Sequence, residues 1–580
     1  MAATMGIAGH ARRAWRWPAA KLLLLALYLA FDHAAITARI ASLGPAPALL
    51  AWAGLYVLLA LALAAAAFMP GHRTRILVAA AMAAGSVMLH SYEWATGSPL
   101  TYNAFETMVA SRGDAGDAMS QHATILFRSV AAAAVLFVAL ALPPGRAAMR
   151  HGLGWILPAG ALLLLAALLY LRGGEGARAL PAPFSPLAQL GIMAALELTD
   201  DDGPRRAVEQ APGPPAASGD IVLVVDESVA ANYLDINHPN GVHSGLAASR
   251  LGLGIHNFGI AASATNCSAG SNAVLRFGGT RETYRRAARR EPSIWAYARQ
   301  AGFRTVYLDG QRNDGALQNL MTKEERAEID DFVQLGATPV PERDHRLAAL
   351  LAERLGNGVR EFILINKVGA HFPVADKFPE DAARYTPLPP RGRMASIIDI
   401  AADVGGHTGT AGEWRLYRNA YRNTIAWNTG GFFDRLLPHM PGTGAVLIYT
   451  ADHGQDLHED GRTGKSTHCM DDTRPEEGAV PLVVIDAADA GALPWQEGVA
   501  HHRNATSHFR VFPTLLALLG YDPEPLYGPT LVDAEPDPMT FTSNYFAALG
   551  REPHWHKIEP GRLASPPRSD FAADAVRKAP

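Results

Sequence analysis

Cysteine is nearly absent: Cys267 and Cys469 are the only two in 580 residues. Two thiols close one bridge at most, which excludes the disulfide framework of a small secreted scaffold. An excess of charge is lacking too, because 51 basic residues offset 55 acidic ones and leave a net charge of −4. That balance argues against a nucleic-acid-binding protein. There is no internal repeat, and no small-residue cleavage site follows the first apolar run, so that run reads as a retained span and not a removed signal peptide.

Alanine and leucine are abundant, and they concentrate in the first 172 residues. Five apolar runs lie near 18–40, 47–69, 74–91, 124–142 and 154–171. Each approaches the roughly 20 residues a helix needs to cross the hydrocarbon core. Arg12, Arg13, Arg16 and Lys21 precede the first run, Arg73 and Arg75 separate the second from the third, and Arg146 and Arg150 separate the fourth from the fifth. Cytoplasmic loops retain positive charge, so the N-terminus is expected inside and everything after Leu171 outside. Asp32 and His33, toward the outer part of the first run, are costly in lipid and are expected to face a head-group cavity.

Composition divides the chain into a transmembrane domain (1–172), a bridging helix and linker (173–219), a soluble domain (220–535) and a Pro-rich, partly loose C-terminal extension (536–580). Within the bridge, Pro186 to Leu198 suits a short interfacial helix. The soluble domain opens with "DIVLVVDES" and continues with "FRTVYLDG", "EFILINKVGAH", "GAVLIYTADHG" and "VPLVVID". These short apolar runs read as strands buried on both faces, and helical patterns at Ser293 to Ala301 and Asp344 to Leu355 alternate with them. The pattern predicts an α/β domain with a mostly parallel sheet, whose ligands bind beyond the carboxyl ends of its strands.

Three of those ends carry metal-ligand residue types: Asp226 and Glu227, His371, and Asp452 and His453. Mixed carboxylate and imidazole donors suit zinc, and manganese or another divalent ion fits as well. The stretch "NCSAGSNAVLRFGG" adds two hydroxyls, Ser268 and Ser271, at what reads as a helix start.

Taken in order behind five spans, "LVVDES", "NCSAGSNAVLRFGG", "VGAHFP" and "YTADHGQDLHEDG...STH" resemble the lipid A phosphoethanolamine transferases, membrane enzymes of the alkaline phosphatase and sulfatase superfamily. The resemblance implies a five-helix membrane domain followed by a sulfatase-like catalytic domain. It gives Glu227, Asp452 and His453 the metal-ligand positions, and makes His371 and His468 the groups that hold the phosphoryl moiety or a second zinc. The family's nucleophile has a Ser three residues on, a spacing that selects Ser268 as catalytic nucleophile and metal ligand. A register anchored on the family's Cys selects Ser271 instead. Asn103 and Thr107 match the family's substrate loop, while its acidic residue falls at Ser111, leaving Glu106 or Asp114 to substitute. One or two Zn2+ ions, a phosphatidylethanolamine donor, and an outer-face lipid or glycan acceptor such as lipid A are the implied cofactor and partners. The implied location is the bacterial inner membrane, with the catalytic domain in the periplasm.

The sequence also departs from its relatives. Ser replaces the family's Thr nucleophile, and the family's several disulfides are missing, although Cys267 and Cys469 adjoin Ser268 and His468 and are expected to be close. "CSAGSN" lacks the Pro and Arg of the sulfatase modification motif, which argues against Cys267 as a modified nucleophile. The alternative on the same scaffold is a phosphate or sulfate ester hydrolase; a non-catalytic receptor is a third reading, disfavoured by the retained nucleophile and ligand set.

Overall fold

The computed structural model describes residues 18–44, 46–110, 123–148, 151–199, 203–391, 410–462, 464, 467–469, 473–487, 492–524, 526–547 and 549–567. Arg12, Arg13, Arg16 and Arg150 of the charge argument, and Ser111 and Asp114 of the loop, lie outside them. The chain forms two units.

The first unit holds four helices long and apolar enough to cross a membrane: Ala46–Ala67, His72–Thr96, Ala123–Ala141 and the span ending at Leu171. A fifth forms if the bent pair Pro18–Ala30 and His33–Ser42 counts as one span. The first run was expected as a single helix. It turns by 56° at Phe31 and Asp32, where polar side chains interrupt the apolar pattern. The protein is thus a multi-pass membrane protein. Basic residues in this unit cap helix ends: Lys21 donates to Leu140 O and Leu142 O, and Arg75 to Ala141 O and Met69 O. These cations answer the unpaired carbonyls of a helix C-terminus. The helix Phe184–Thr199, expected at an interface, buries Phe184, Ala188 and Ile192 in the apolar core of this unit.

The second unit is built on an eight-stranded sheet in the order β4-β3-β5-β1-β6-β7-β2-β8. Its strands are β1 (Ile221–Asp226), β2 (Leu253–Ala262), β3 (Arg304–Asp309), β4 (Asp331–Gln334), β5 (Glu361–Asn366), β6 (Val446–Ala451), β7 (Ala479–Ala487) and β8 (Thr506–Ser507). The run β4, β3, β5, β1, β6 is parallel, and β7 alone runs antiparallel to both its neighbours. β1, β5 and β6 are fully buried along their lengths, as a sheet covered on both faces requires. Two further strands, β9 (Thr540–Thr542) and β10 (Trp555–Lys557), pair with each other in the C-terminal extension, and Thr542 bridges to Thr265 beside the site loop.

Register sets the site. Asp226 pairs with Ala451 and Val225 with Asn366, so Glu227, Lys367 and Asp452 each come immediately after a terminus at one edge. β2 is antiparallel to β7, which is antiparallel to β6, so β2 also ends at that edge and delivers the chain to Ser268.

Beneath this edge lies a buried charge cluster. Lys367 Nζ is 2.7 Å from Asp226 Oδ2 and 3.5 Å from Asp344 Oδ2, with all three side chains inaccessible. Thr429 and Tyr449 also donate to Asp226 Oδ2, and Val368 and Gly369 N–H groups donate to Asp344. Removing one partner of such a cluster strands the others without compensation. Lys367→Met is therefore expected to lower unfolding free energy by about 3–5 kcal/mol, measured by denaturant titration at constant pH; a loss within error of zero would show that the ammonium is not holding the two carboxylates.

Candidate active site

Asp226, grouped by sequence with the ligand types, points its carboxylate into the lysine cluster; its Oδ1 accepts from Glu227 N–H. Glu227 continues the chain into the site, and Ser228 follows in the left-handed region at φ 59°. That conformation is uncommon for a residue with a side chain and persists where surroundings over-determine it. Here they do: Ser228 N–H donates to Asp452 Oδ1 at 2.9 Å, its hydroxyl donates to Glu227 Oε1 at 2.9 Å, and its carbonyl accepts from Tyr421. Gly369 passes behind at φ +53°, where a Cβ would lie 2.3 Å from Asp226 Oδ1 and 2.6 Å from Glu227 N. Any side chain there would displace the ligand strand.

Glu227, Asp452 and His453 are buried, and one donor atom from each lies within 4.8 Å of the others. His453 Nε2 stands 3.4 Å from Glu227 Oε1 and 3.8 Å from Asp452 Oδ2. The surrounding hydrogen bonds orient the donors inward. His453 Nδ1 is 2.7 Å from Gly454 O, which assigns its proton there and leaves Nε2 as the donor atom. Asp452 Oδ1 accepts from the backbone N–H groups of Ser228 and His453, while its Oδ2 is buried with no hydrogen-bond partner among the described residues. Gln311 Nε2 donates to Glu227 Oε2 at 3.1 Å.

Electrostatics match a cation. Burial, and then the neighbouring Glu227 carboxylate, push the Asp452 carboxyl well above its usual range. Burial alone would lower His453, but Asp452 and Glu227 outweigh it and raise the imidazole to about 10. A buried carboxyl and an imidazole that hold protons this strongly, beside the second buried carboxylate of Glu227, form a donor set suited to a divalent ion. This trio could hold a metal.

Ser268 begins the helix Ser268–Phe277 and meets the trio directly: its Oγ is 3.2 Å from Glu227 Oε1 and 3.3 Å from His453 Nε2. Gly278, at φ +67°, ends the helix, and its N–H donates to Val274 O. Ser271 faces elsewhere. Its hydroxyl is fully buried, donates to Thr265 O and accepts from Thr265 N–H. Cys267 and Cys469 form a disulfide, so the residue before Ser268 is tied to the residue after His468. The His468 ring stacks on His453 with centroids 4.2 Å apart. His371 follows β5 at the same edge, is 4% exposed, and holds its Nδ1 2.6 Å from Phe372 O. Asn103 and Thr107 lie in the other unit, on one face of the helix Tyr102–Ala110, with Thr107 Oγ1 donating to Asn103 O.

The profile of the sulfatase family matches residues 220–521. The chain belongs to the sulfatase family. Among solved structures, this sulfatase-family protein is similar to the integral membrane lipooligosaccharide phosphoethanolamine transferase A of Neisseria meningitidis. Identity is 16%, the match covers 87% of this chain and 95% of that one, and the TM-score is 0.56, which shows a common fold. Looser likenesses join it to the soluble domain of the same Neisseria enzyme (21% identity, 55% and 94% coverage, TM-score 0.44) and to the zinc-complexed periplasmic domain of EcEptC from Escherichia coli (16%, 63% and 98%, 0.46). No curated protein matches.

Sequence reasoning passed over Ser228, Gln311, Lys367 and Lys377. Ser228 simply follows Glu227, and Gln311 stands two residues beyond β3, so the strand-end rule applied to "LDGQ" would have found it. Lys377 carried no signal. It is 1% exposed, its ammonium has no hydrogen-bond acceptor among the described residues, and burial, reinforced by Arg343, lowers it to about 7 against Asp376, Asp344 and Glu227. A lysine lowered in the folded state binds fewer protons than the unfolded chain from about pH 7 to its ordinary value of 10.5, so it makes stability rise with pH across that window. Lys377→Met should remove this contribution. Thermal unfolding of both proteins at pH 7 and 9 is expected to show the variant gaining most at pH 7, whereas an equal effect at both values would contradict it.

Proposed function

We propose that this sulfatase-family protein moves phosphoethanolamine, or a similar phospho-alcohol, from a membrane phospholipid through a phospho-serine on Ser268 to an outer-face lipid or glycan such as lipid A. The observation that carries the reading is the Ser268 hydroxyl, placed at a helix N-terminus against buried Glu227, Asp452 and His453. A dication in that trio, Zn2+ before Mn2+, would lower the serine pKa and polarise the phosphoryl oxygens. Glu227, Asp452 and His453 would hold it, with Ser268 Oγ as a further ligand.

The remaining steps belong to the chain. Ser268 Oγ, its proton already lost to solvent, forms the bond to phosphorus as the bond to the diacylglycerol oxygen breaks; His371 or His468 supplies the proton that oxygen takes. Backbone N–H groups of the first helical turn favour the negative phosphoryl oxygens. In the second half an acceptor oxygen attacks phosphorus, its proton passes to the same histidine, and Ser268 leaves as the alkoxide that begins the next turnover. Ser271 holds the loop through Thr265 so that the hydroxyl three residues earlier keeps its place. Asn103 and Thr107 are proposed to receive the donor head group. The spans and basic loops support an inner-membrane protein with its catalytic domain in the periplasm.

Purified full-length protein incubated with fluorescent phosphatidylethanolamine should release diacylglycerol in a reaction that chelator stops, and should label an acceptor in extracted membrane lipids. Free phosphoethanolamine with no labelled acceptor would make the protein a hydrolase. No release from any phospholipid would leave only a binding role.

A further inference from the structure

The membrane unit contains a hydrogen-bonded chain that the catalytic reading does not use. Tyr28 donates to Ser86 Oγ at 2.7 Å, Ser86 Oγ lies 3.3 Å from His90 Nδ1, and His90 Nε2 lies 3.0 Å from Asp32 Oδ1. With Tyr28 as the first donor, the chain runs toward Asp32 and ends on its carboxylate. His90 is 1% exposed at its side chain and stacks on Trp94, with centroids 4.5 Å apart and planes 13° from parallel. Asp32 is 12% exposed, and its second oxygen accepts no hydrogen bond among the described residues. It sits where the first span breaks.

A carboxylate inside a helix bundle is expensive, and such residues mark ligand or ion pathways. A purely structural clamp needs only one of the two oxygens. The helix after the break adds a complementary charge: Arg39 stands seven residues on, two turns or about 10 Å along the same face, and its Nε is buried without a hydrogen-bond partner among the described residues. Arg172 and Arg178 lie within electrostatic reach of Arg39. The first helix, Pro18–Ala30, covers about 20 Å of a core near 30 Å thick. Asp32 and Arg39 follow the end of that helix, in the second half of the broken span.

From this we infer that Asp32, oriented by His90, Ser86 and Tyr28, and Arg39 form a head-group site for a zwitterionic phospholipid: Asp32 takes the primary ammonium and Arg39 the phosphodiester. The inference rests on the donor reading above and supplies that donor with a resting place within the membrane unit, apart from the reacting centre. Anionic lipids offer the phosphate alone, so the carboxylate selects against them.

The test uses full-length protein in nanodiscs, with fluorescent phosphatidylethanolamine displaced by unlabelled phosphatidylethanolamine or phosphatidylglycerol. The ethanolamine lipid is expected to bind about tenfold more tightly, the scale of one charge-assisted hydrogen bond. Asp32→Asn should erase that preference, and Arg39→Gln should weaken both lipids alike. Ser268→Ala should keep the full preference, so a protein that binds selectively without turning over separates this site from the catalytic proposal. Equal binding of the two lipids by the unaltered protein overturns the inference, as does an Asp32→Asn protein of unchanged selectivity. If Asp32→Asn does not fold, Arg39→Gln decides: unchanged affinity for both lipids overturns the site.

Discussion

Ser268→Ala is expected to abolish the proposed diacylglycerol release, by three orders of magnitude or more, while leaving the unfolding transition of the catalytic domain in place. The size follows from the chemistry: without the hydroxyl no covalent intermediate forms, and alanine preserves the helix start because Cys267, not Ser268, occupies the N-cap position. Ser271→Ala, by contrast, deletes an oxygen that both donates to and accepts from Thr265. Its cost is expected in stability, on the order of 1–3 kcal/mol for the unpaired buried groups it leaves, with turnover reduced far less than in Ser268→Ala. Parallel steady-state kinetics and unfolding of the two variants check this. The reverse ranking would move the nucleophile to position 271.

Metal removal is the second large effect. A chelated protein should lose turnover and regain it on adding Zn2+ or Mn2+, and Asp452→Asn should resist rescue because Oδ2 would carry an amide or a neutral oxygen. The pH dependence has a definite sign. His453 rises to about 10 in the folded, metal-free protein from the ordinary imidazole value of 6.5. Its stabilising contribution is therefore fully present below pH 6.5 and is lost as pH climbs through 10. Asp452, also raised, acts in the same direction at its own, lower starting point. Chelated protein should thus lose stability between pH 6.5 and 10 relative to metal-loaded protein. A ligand must shed its proton to bind, so metal uptake at pH 7 should release at least one proton, measured by calorimetry in buffers of different ionisation enthalpy. A buffer-independent enthalpy would mean that these groups do not carry protons in exchange for the ion.

What the sequence discloses and what it hides divide along physical lines. β1, β5 and β6 are buried on both faces, so their apolar runs stand out and the polar residue after each marks the edge. Glu227, Asp452 and His453 were found that way, and parallel register brings them together. The direction of β7 was hidden, since a buried run reads the same in either sense. Asp226 looked like a ligand because a carboxylate beside Glu227 does, yet its partner Lys367 sits 141 positions away and only the fold reveals the pair. The break at Asp32 was equally opaque: His90, which holds the carboxylate, lies 58 residues on. Lys377 and Ser228 were missed for a related reason, as their burial and backbone conformation come from segments distant in sequence.

The most direct test of the central claim, that the hydroxyl at 268 attacks phosphorus beside a dication held by Glu227, Asp452 and His453, is to quench the loaded full-length enzyme during a single turnover with phosphatidylethanolamine and map the modified peptide by mass spectrometry. A phosphoethanolamine adduct on Ser268 that disappears with chelator is the expected result. An adduct on Ser271 or Ser228, or turnover with no adduct on any serine, would contradict it.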